Sequence, residues 1–206
     1  VGTIKKIKKI AEIIEDYKKK NYKVIVVSSA MSGVTNELIK KSFEISNNFS
    51  NAEHDVLVSS GEQVACSLIA GRLVHKGYKS RSWLSWQIPI ITKGLHKNSK
   101  IDQVNKNKII KYLKEGGIPV ITGFQGINNE SRVTTIGRGG SDASAIMLAK
   151  FFKAERCIIY TDVEGVYTTD PNKLKKAKKI KIISYEEMLE MASLGAQVMQ
   201  PVSIQD

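Results

Sequence analysis

The chain has 206 residues, room for one large domain that buries roughly 70% of its unfolded surface. Its 42% hydrophobic and 25% charged residues exclude a disordered, collagen-like or disulfide-framework chain, and no apolar run reaches the roughly 20 residues of a membrane-spanning helix. The formal net charge is +12, yet 27 of the 32 cations are lysine and only 5 arginine, in runs without interleaved aromatics that read as solvated faces rather than a nucleic-acid footprint.

The elements follow in chain order. Ile4, Ile7, Ile10, Ile13, Ile14 and Tyr17 recur at helical spacing with lysines between them, which predicts an amphipathic helix. Val24 to Val27 is a continuous apolar run, expected as a strand buried on both faces. A helix is expected from Thr35 to about Phe49, and helical material from His54 to about His75 with a break near Ser59-Ser60-Gly61. A strand at Lys79 to Trp86, a helix at Gln103 to Glu115 and a strand at Ile118 to Gly123 come next. The pattern closes with a helix at Ser141 to Phe152, a strand at Arg156 to Tyr160 and a helix at Ser184 to Met191. Strands separated by helices of this length need right-handed parallel crossovers, so the fold class is α/β, a mainly parallel sheet between helix layers.

Ligands of such sheets bind beyond the strand carboxyl ends, which directs attention to the turns after the strands. Gly137-Arg138-Gly139-Gly140-Ser141-Asp142 leads into a helix. Glycines allow close backbone approach, Ser141 is a candidate N-cap, Asp142 suits the positive helix end, and Arg138 can grip a carboxylate bidentately. The segment reads also as a glycine-rich turn before a capped helix. It is neither a Walker A loop nor a dinucleotide fingerprint. Thr161 to Pro171 gathers hydroxyls, three acids and an aromatic ring that suit a nucleotide, although general chemistry alone favours a plain turn-rich loop. Glu62, after Ser59-Ser60-Gly61, has an alternative reading as an acid satisfying the helix dipole. His54, His75 and His96 share no ligand spacing, so they are expected at the surface and no zinc or other metal-ligand residue is assigned. Cys66 and Cys157 form no C-x-x-C pair and read as reduced cytoplasmic thiols; Trp83 and Trp86 read as partial core or interface.

In order along the chain, Ser29-Ala30-Met31-Ser32-Gly33-Val34-Thr35-Asn36, Ser60-Gly61-Glu62, Gly123-Phe124-Gln125-Gly126, Thr134 to Asp142 and Tyr160 to Pro171 resemble the catalytic domain of the aspartate kinases. The resemblance implies the amino-acid-kinase fold over residues 1–206. It also implies transfer of the ATP γ-phosphoryl group to the side-chain carboxylate of L-aspartate, the first step toward lysine, threonine and methionine, in the cytoplasm. By resemblance, Arg138 and Asp142 are catalytic, with Arg138 on a substrate carboxylate and Asp142 near the transferred phosphoryl, organising cationic groups or Mg²⁺. Ser29, Thr35, Glu62 and Ser141 complete the amino-acid pocket, and Thr161, Asp162, Tyr167 and Asp170 line the nucleotide.

An aspartate side chain ordinarily titrates at about pH 3.9, so the acceptor is anionic at neutral pH and needs no general base. Bringing it onto a polyphosphate instead demands cations, backbone donors and Mg²⁺. Two expected cations are replaced, by Asn172 and by Gln197, both near the expected nucleotide position. The family opens with a strand and Lys-Phe-Gly-Gly-Thr-Ser and closes with paired regulatory domains. The chain runs from Val1 to Asp206 and is expected to be a fragment without its first strand, inactive as it stands. The family dimerises through its regulatory half, so the full-length protein is expected to be a homo-oligomer. The alternatives are a kinase of the same fold acting on glutamate, N-acetylglutamate or a nucleoside monophosphate, and, more remotely, a basic nucleic-acid-binding protein.

Overall fold

The computed structural model describes residues 1–137, 139–160, 168, 174, 176–178 and 180; the expected helix Ser184 to Met191 lies outside them. The elements run α1 (Ile4–Lys19), β1 (Val26–Ser28), α2 (Val34–Ile45), α3 (Asn51–His75), β2 (Ser80–Trp83), β3 (Ile90–Lys93), β4 (Lys100–Val104), α4 (Asn107–Lys114), β5 (Ile118–Thr122), β6 (Gln125–Ile127), β7 (Val133–Thr135) and α5 (Gly140–Phe152).

The central sheet has the order β1-β5-β2 and is parallel throughout, with Val26 opposite Val120 and Ser82 opposite the same residue on the other side. Every residue of β5 is buried, because the sheet is covered on both faces and successive side chains point to opposite sides. Ile118 and Val120 pack with Ile7, Ala11 and Ile14 of α1 and Cys66, Ile69 and Leu73 of α3. Ile121 joins a second cluster with Ile109 of α4 and Ala143, Met147 and Leu148 of α5. Full burial of each such aliphatic side chain stabilises the fold by about 2 kcal/mol. A smaller sheet, β4-β3-β6-β7, combines the antiparallel pairs β3–β4 and β6–β7 with a parallel β3–β6 contact.

The α/β class and the first helix agree with the sequence expectation, and several elements differ. Helix α3 is continuous through Ser59-Ser60-Gly61, because Gly61 is a contact glycine rather than a breaker: a Cβ there would lie 2.9 Å from that of Ala30. Gln103 sits in β4 and not in a helix. Val26 and Val27 keep partial exposure, since β1 has one strand neighbour among the described residues. Residues 156–160 form no regular strand. Four short strands, β3, β4, β6 and β7, have no counterpart in the sequence reading.

Candidate functional site

Three chain segments converge at the carboxyl end of the central sheet. The Gly123 N–H donates to the Ser28 carbonyl at 2.9 Å. A Cβ on Gly123 would lie 3.1 Å from that carbonyl and 3.2 Å from Cα of Ser141. The loop after β1, the turn after β5 and the first turn of α5 are therefore in van der Waals contact. Phe124, at φ 64°, donates its N–H to Ser144 Oγ at 2.9 Å, and Ser144 Oγ donates to the Gly140 carbonyl at 2.6 Å.

Helix α5 starts from two left-handed glycines, Gly137 at φ +82° and Gly139 at φ 70°, a conformation that a side chain resists. Gly139 occupies the N-cap position, so Ser141 lies inside the helix and is not its cap. Asp142 follows in the first turn, half-buried, and burial raises its carboxyl above the usual range. This opposes the helix-end dipole, which favours the ionised form.

Glu62 lies in the middle of α3 and is 3% exposed. Its place there removes the reading as a helix-start acid. Oε1 accepts the Ala30 N–H at 3.0 Å, while Oε2 is buried with no hydrogen-bond partner among the described residues. Burial pushes the carboxyl up to about 7, against the smaller opposing pull of the Ala30 N–H. Ser29 precedes that donor and is partly buried. Thr35 is in the first turn of α2, beside Val34, whose Cγ1 would lie 3.2 Å from a Cβ on Gly61. The segments that carry Ser29, Thr35 and Glu62 thus pack together, and Gly123 brings the end of β1 against Ser141, the residue before Asp142. Arg138, Thr161, Asp162, Tyr167, Asp170, Asn172 and Gln197 lie outside the described residues. Among the described residues no group of three or more His, Cys, Asp or Glu could hold a metal ion, and no helix is long and apolar enough to cross a membrane.

The sequence reading missed a polar cluster at the start of α3. Asp55 is fully buried and accepts from His96 Nδ1 at 2.7 Å, and His54 Nδ1 stands 3.9 Å away. Two of the three histidines expected at the surface are instead half-buried around one acid. The available signal was spacing: Asp55 and Glu62 stand seven apart, on one face of one helix. Gln125, from the Gly-Phe-Gln-Gly segment, is also buried and donates to the Ser59 carbonyl at 3.0 Å, tying α3 to β6.

A buried acid, left-handed glycine turns and a helix N-terminus at the carboxyl ends of parallel strands define an α/β site for a small charged ligand. Residues 1–205 match the amino acid kinase family, and the chain belongs to that family. It is 50% identical over 204 residues to an aspartokinase of Rickettsia conorii, covering 98% of this chain and 51% of the relative. It is 48% identical over 206 residues to an aspartokinase of Geobacillus stearothermophilus, covering 100% and 50%. The chain therefore spans about half the length of the curated relatives it matches. Among solved structures, aspartate kinase from Synechocystis superposes with a TM-score of 0.85 at 38% identity, over 100% of this chain and 34% of that one. Escherichia coli aspartokinase III in complex with aspartate and ADP superposes with a TM-score of 0.86 at 26% identity, over 98% and 56%.

Proposed function

We propose that these residues form the catalytic domain of an aspartate kinase, moving the ATP γ-phosphoryl group onto the side-chain carboxylate of L-aspartate to give 4-phospho-L-aspartate. One observation carries the reading beyond the family: Glu62, a buried carboxyl with an orphaned Oε2, in a chain about half identical to aspartokinases along its length. A carboxyl that burial pushes up to about 7 is drawn fully into its ionised form when a cation arrives. The α-ammonium of an amino acid supplies that cation, and the ion pair it forms satisfies Oε2. Ser29, Thr35 and Ser141 complete the amino-acid pocket, with Arg138 on a carboxylate of the substrate.

The acceptor oxygen is already anionic, so no residue is required to remove a proton. Catalysis is then positioning and charge stabilisation. The start of α5 turns the positive end of its helix dipole toward the phosphoryl group, and Asp142 presents hard oxygen donors that fit Mg²⁺, which is bound through one or two carboxylates together with substrate phosphates. When bound, Mg²⁺ neutralises phosphate charge. Thr161, Asp162, Tyr167, Asp170, Asn172 and Gln197 are proposed to line the nucleotide. The product places the enzyme at the head of a route toward lysine, threonine and methionine, in the cytoplasm where ATP is drawn, and as a homo-oligomer.

The test uses the complete natural polypeptide that contains these residues, with hydroxylamine trapping acyl phosphate in the presence of ATP, Mg²⁺ and aspartate, glutamate or N-acetylglutamate. An aspartate-dependent signal, lost in Arg138→Ala and Asp142→Ala, is the expected result. A signal with glutamate or N-acetylglutamate instead, or none with any acceptor, overturns the aspartate assignment and leaves the fold standing.

A further inference from the structure

Asp55 is the most heavily hydrogen-bonded side chain among the described residues. Oδ1 accepts from the Lys97 N–H at 3.1 Å and from Thr135 Oγ1 at 2.7 Å. Oδ2 accepts from the same Lys97 N–H at 3.0 Å, from the Thr135 N–H at 3.1 Å and from His96 Nδ1 at 2.7 Å. These donors come from two places distant in sequence, the loop between β3 and β4 and the end of β7. The two are also joined directly, Ser99 N–H to the Thr135 carbonyl at 2.9 Å.

Between them sits Gly137. A Cβ on it would lie 3.2 Å from the Lys97 carbonyl oxygen and 3.2 Å from Asn98 Oδ1, so the 97–98 backbone forms the seat of this residue. Lys97 itself has a left-handed φ of 68°, a strained choice for lysine that its N–H bonds to Asp55 hold in place. From Gly137 the register passes directly to the catalytic helix, since the Gly140 N–H donates to the Gly137 carbonyl at 3.0 Å. The same helix that carries Asp55 carries Glu62 two turns later, about 10 Å further along its axis and on the same face.

We propose that Asp55 is a positioning residue for phosphoryl transfer, fixing the distance between Glu62 and the glycine turn that leads into Ser141 and Asp142. The proposal deepens the reading above and rests on it for the identity of the acceptor. One rigid helix holds the acid that receives the ammonium group, and at its start a carboxylate clamps both walls of the turn that receives the opposite end of the substrate. His96 and Thr135 are the side-chain members of the clamp, His96 Nδ1 on Oδ2 and Thr135 Oγ1 on Oδ1. Loss of the clamp lets the turn drift while the strands behind it stay packed, and misplacement of about 1 Å costs up to about 100-fold in such a site.

The experiment compares Asp55→Asn, Asp55→Ala, Thr135→Val, His96→Ala and His96→Gln in the complete natural polypeptide. Steady-state kinetics and hydrogen exchange read by mass spectrometry are measured on each. In Asp55→Asn an amide NH₂ faces backbone N–H donors, so the clamp is lost with little change of volume. The expected result is a rise of about 10–100-fold in the KM for the amino-acid acceptor with the KM for ATP changed less than about two-fold. Exchange should accelerate at 94–99 and 133–140 and not at 118–122. His96→Gln, which keeps a donor, should restore most of what His96→Ala loses. Equal changes in both KM values, or exchange that rises uniformly with falling stability, would show a merely structural acid and overturn the proposal. Should either Asp55 variant not fold, Thr135→Val and the His96 pair decide the question. If the parent protein does not use aspartate, the functional reading fails separately. The acceptor it does use, or exchange at 94–99 and 133–140 alone if it uses none, then decides whether Asp55 positions the turn.

Discussion

At the scale of a single residue, Glu62 couples the site to pH. The unfolded chain titrates this carboxyl at 4.5, and the folded protein near 7. Between these values the unfolded state has released a proton that the folded state keeps. Stability therefore falls as pH rises from about 4.5 to about 7 and is flat above. A separation of this size corresponds to about 3 kcal/mol. Glu62→Gln removes the titration while keeping an acceptor for Ala30. Urea unfolding should find this variant more stable than the parent at pH 8 by up to about 3 kcal/mol, with the difference shrinking toward zero at pH 4.5. A difference independent of pH would mean that Glu62 is ionised in the folded protein and hydrated. The same variant should lose acceptor binding, which separates what the buried acid does for the site from what it costs the fold.

At the scale of an element, α3 shows how far a sequence pattern reaches. Glycine inside a helix normally costs about 1 kcal/mol relative to alanine, and two glycines of α3 test when that rule is overridden. Gly71 is exposed, with nothing within 4 Å of an added Cβ. Gly71→Ala should stabilise the protein by about 0.5–1 kcal/mol. Gly61→Ala brings its methyl to 2.9 Å from Ala30 Cβ, which is too rigid to yield, and should destabilise by about 1–2 kcal/mol despite the better propensity. Thermal melts of the two variants decide it, and equal stabilisation would refute the packing role of Gly61. The same contact explains the misread break in α3, since propensity registers the glycine and is blind to the neighbour that requires it. Period and apolar runs were enough for α1, β5 and α5, whose buried faces repeat regularly. They were not enough for β4, whose Lys100-Ile101-Asp102-Gln103-Val104 buries Ile101 alone and is a strand because β3 pairs with it. Of the proposed site, the motif residues Ser29, Thr35, Glu62, Ser141 and Asp142 could be named from the sequence, whereas Asp55 could not, because its donors are brought by distant segments and half of them are backbone groups.

At the scale of the whole molecule, the net charge of +12 is set against the proposed site, which would assemble two anions. The described lysines with carboxylate partners are spread over the surface and include Lys19 with Glu15 on α1, Lys41 with Glu37 on α2, Lys79 just before β2 with Glu115 just after α4, and Lys93 with Asp102 across β3 and β4. A distributed charge of this kind raises the encounter rate of small anions, and the ion-paired lysines among the described residues form no continuous track for duplex nucleic acid. Binding to a labelled duplex of about 20 base pairs, followed by fluorescence anisotropy, should accordingly be non-specific, with a Kd no tighter than about 10⁻⁶ M at about 150 mM salt and a steep loss of affinity as salt rises. Acceptor-dependent turnover should be unaffected by the duplex at that salt, where non-specific binding is weak. Tight binding that persists at that salt and competes with ATP would restore the nucleic-acid reading. It would also mean that the lysines act together as one surface, which these dispersed pairs do not form.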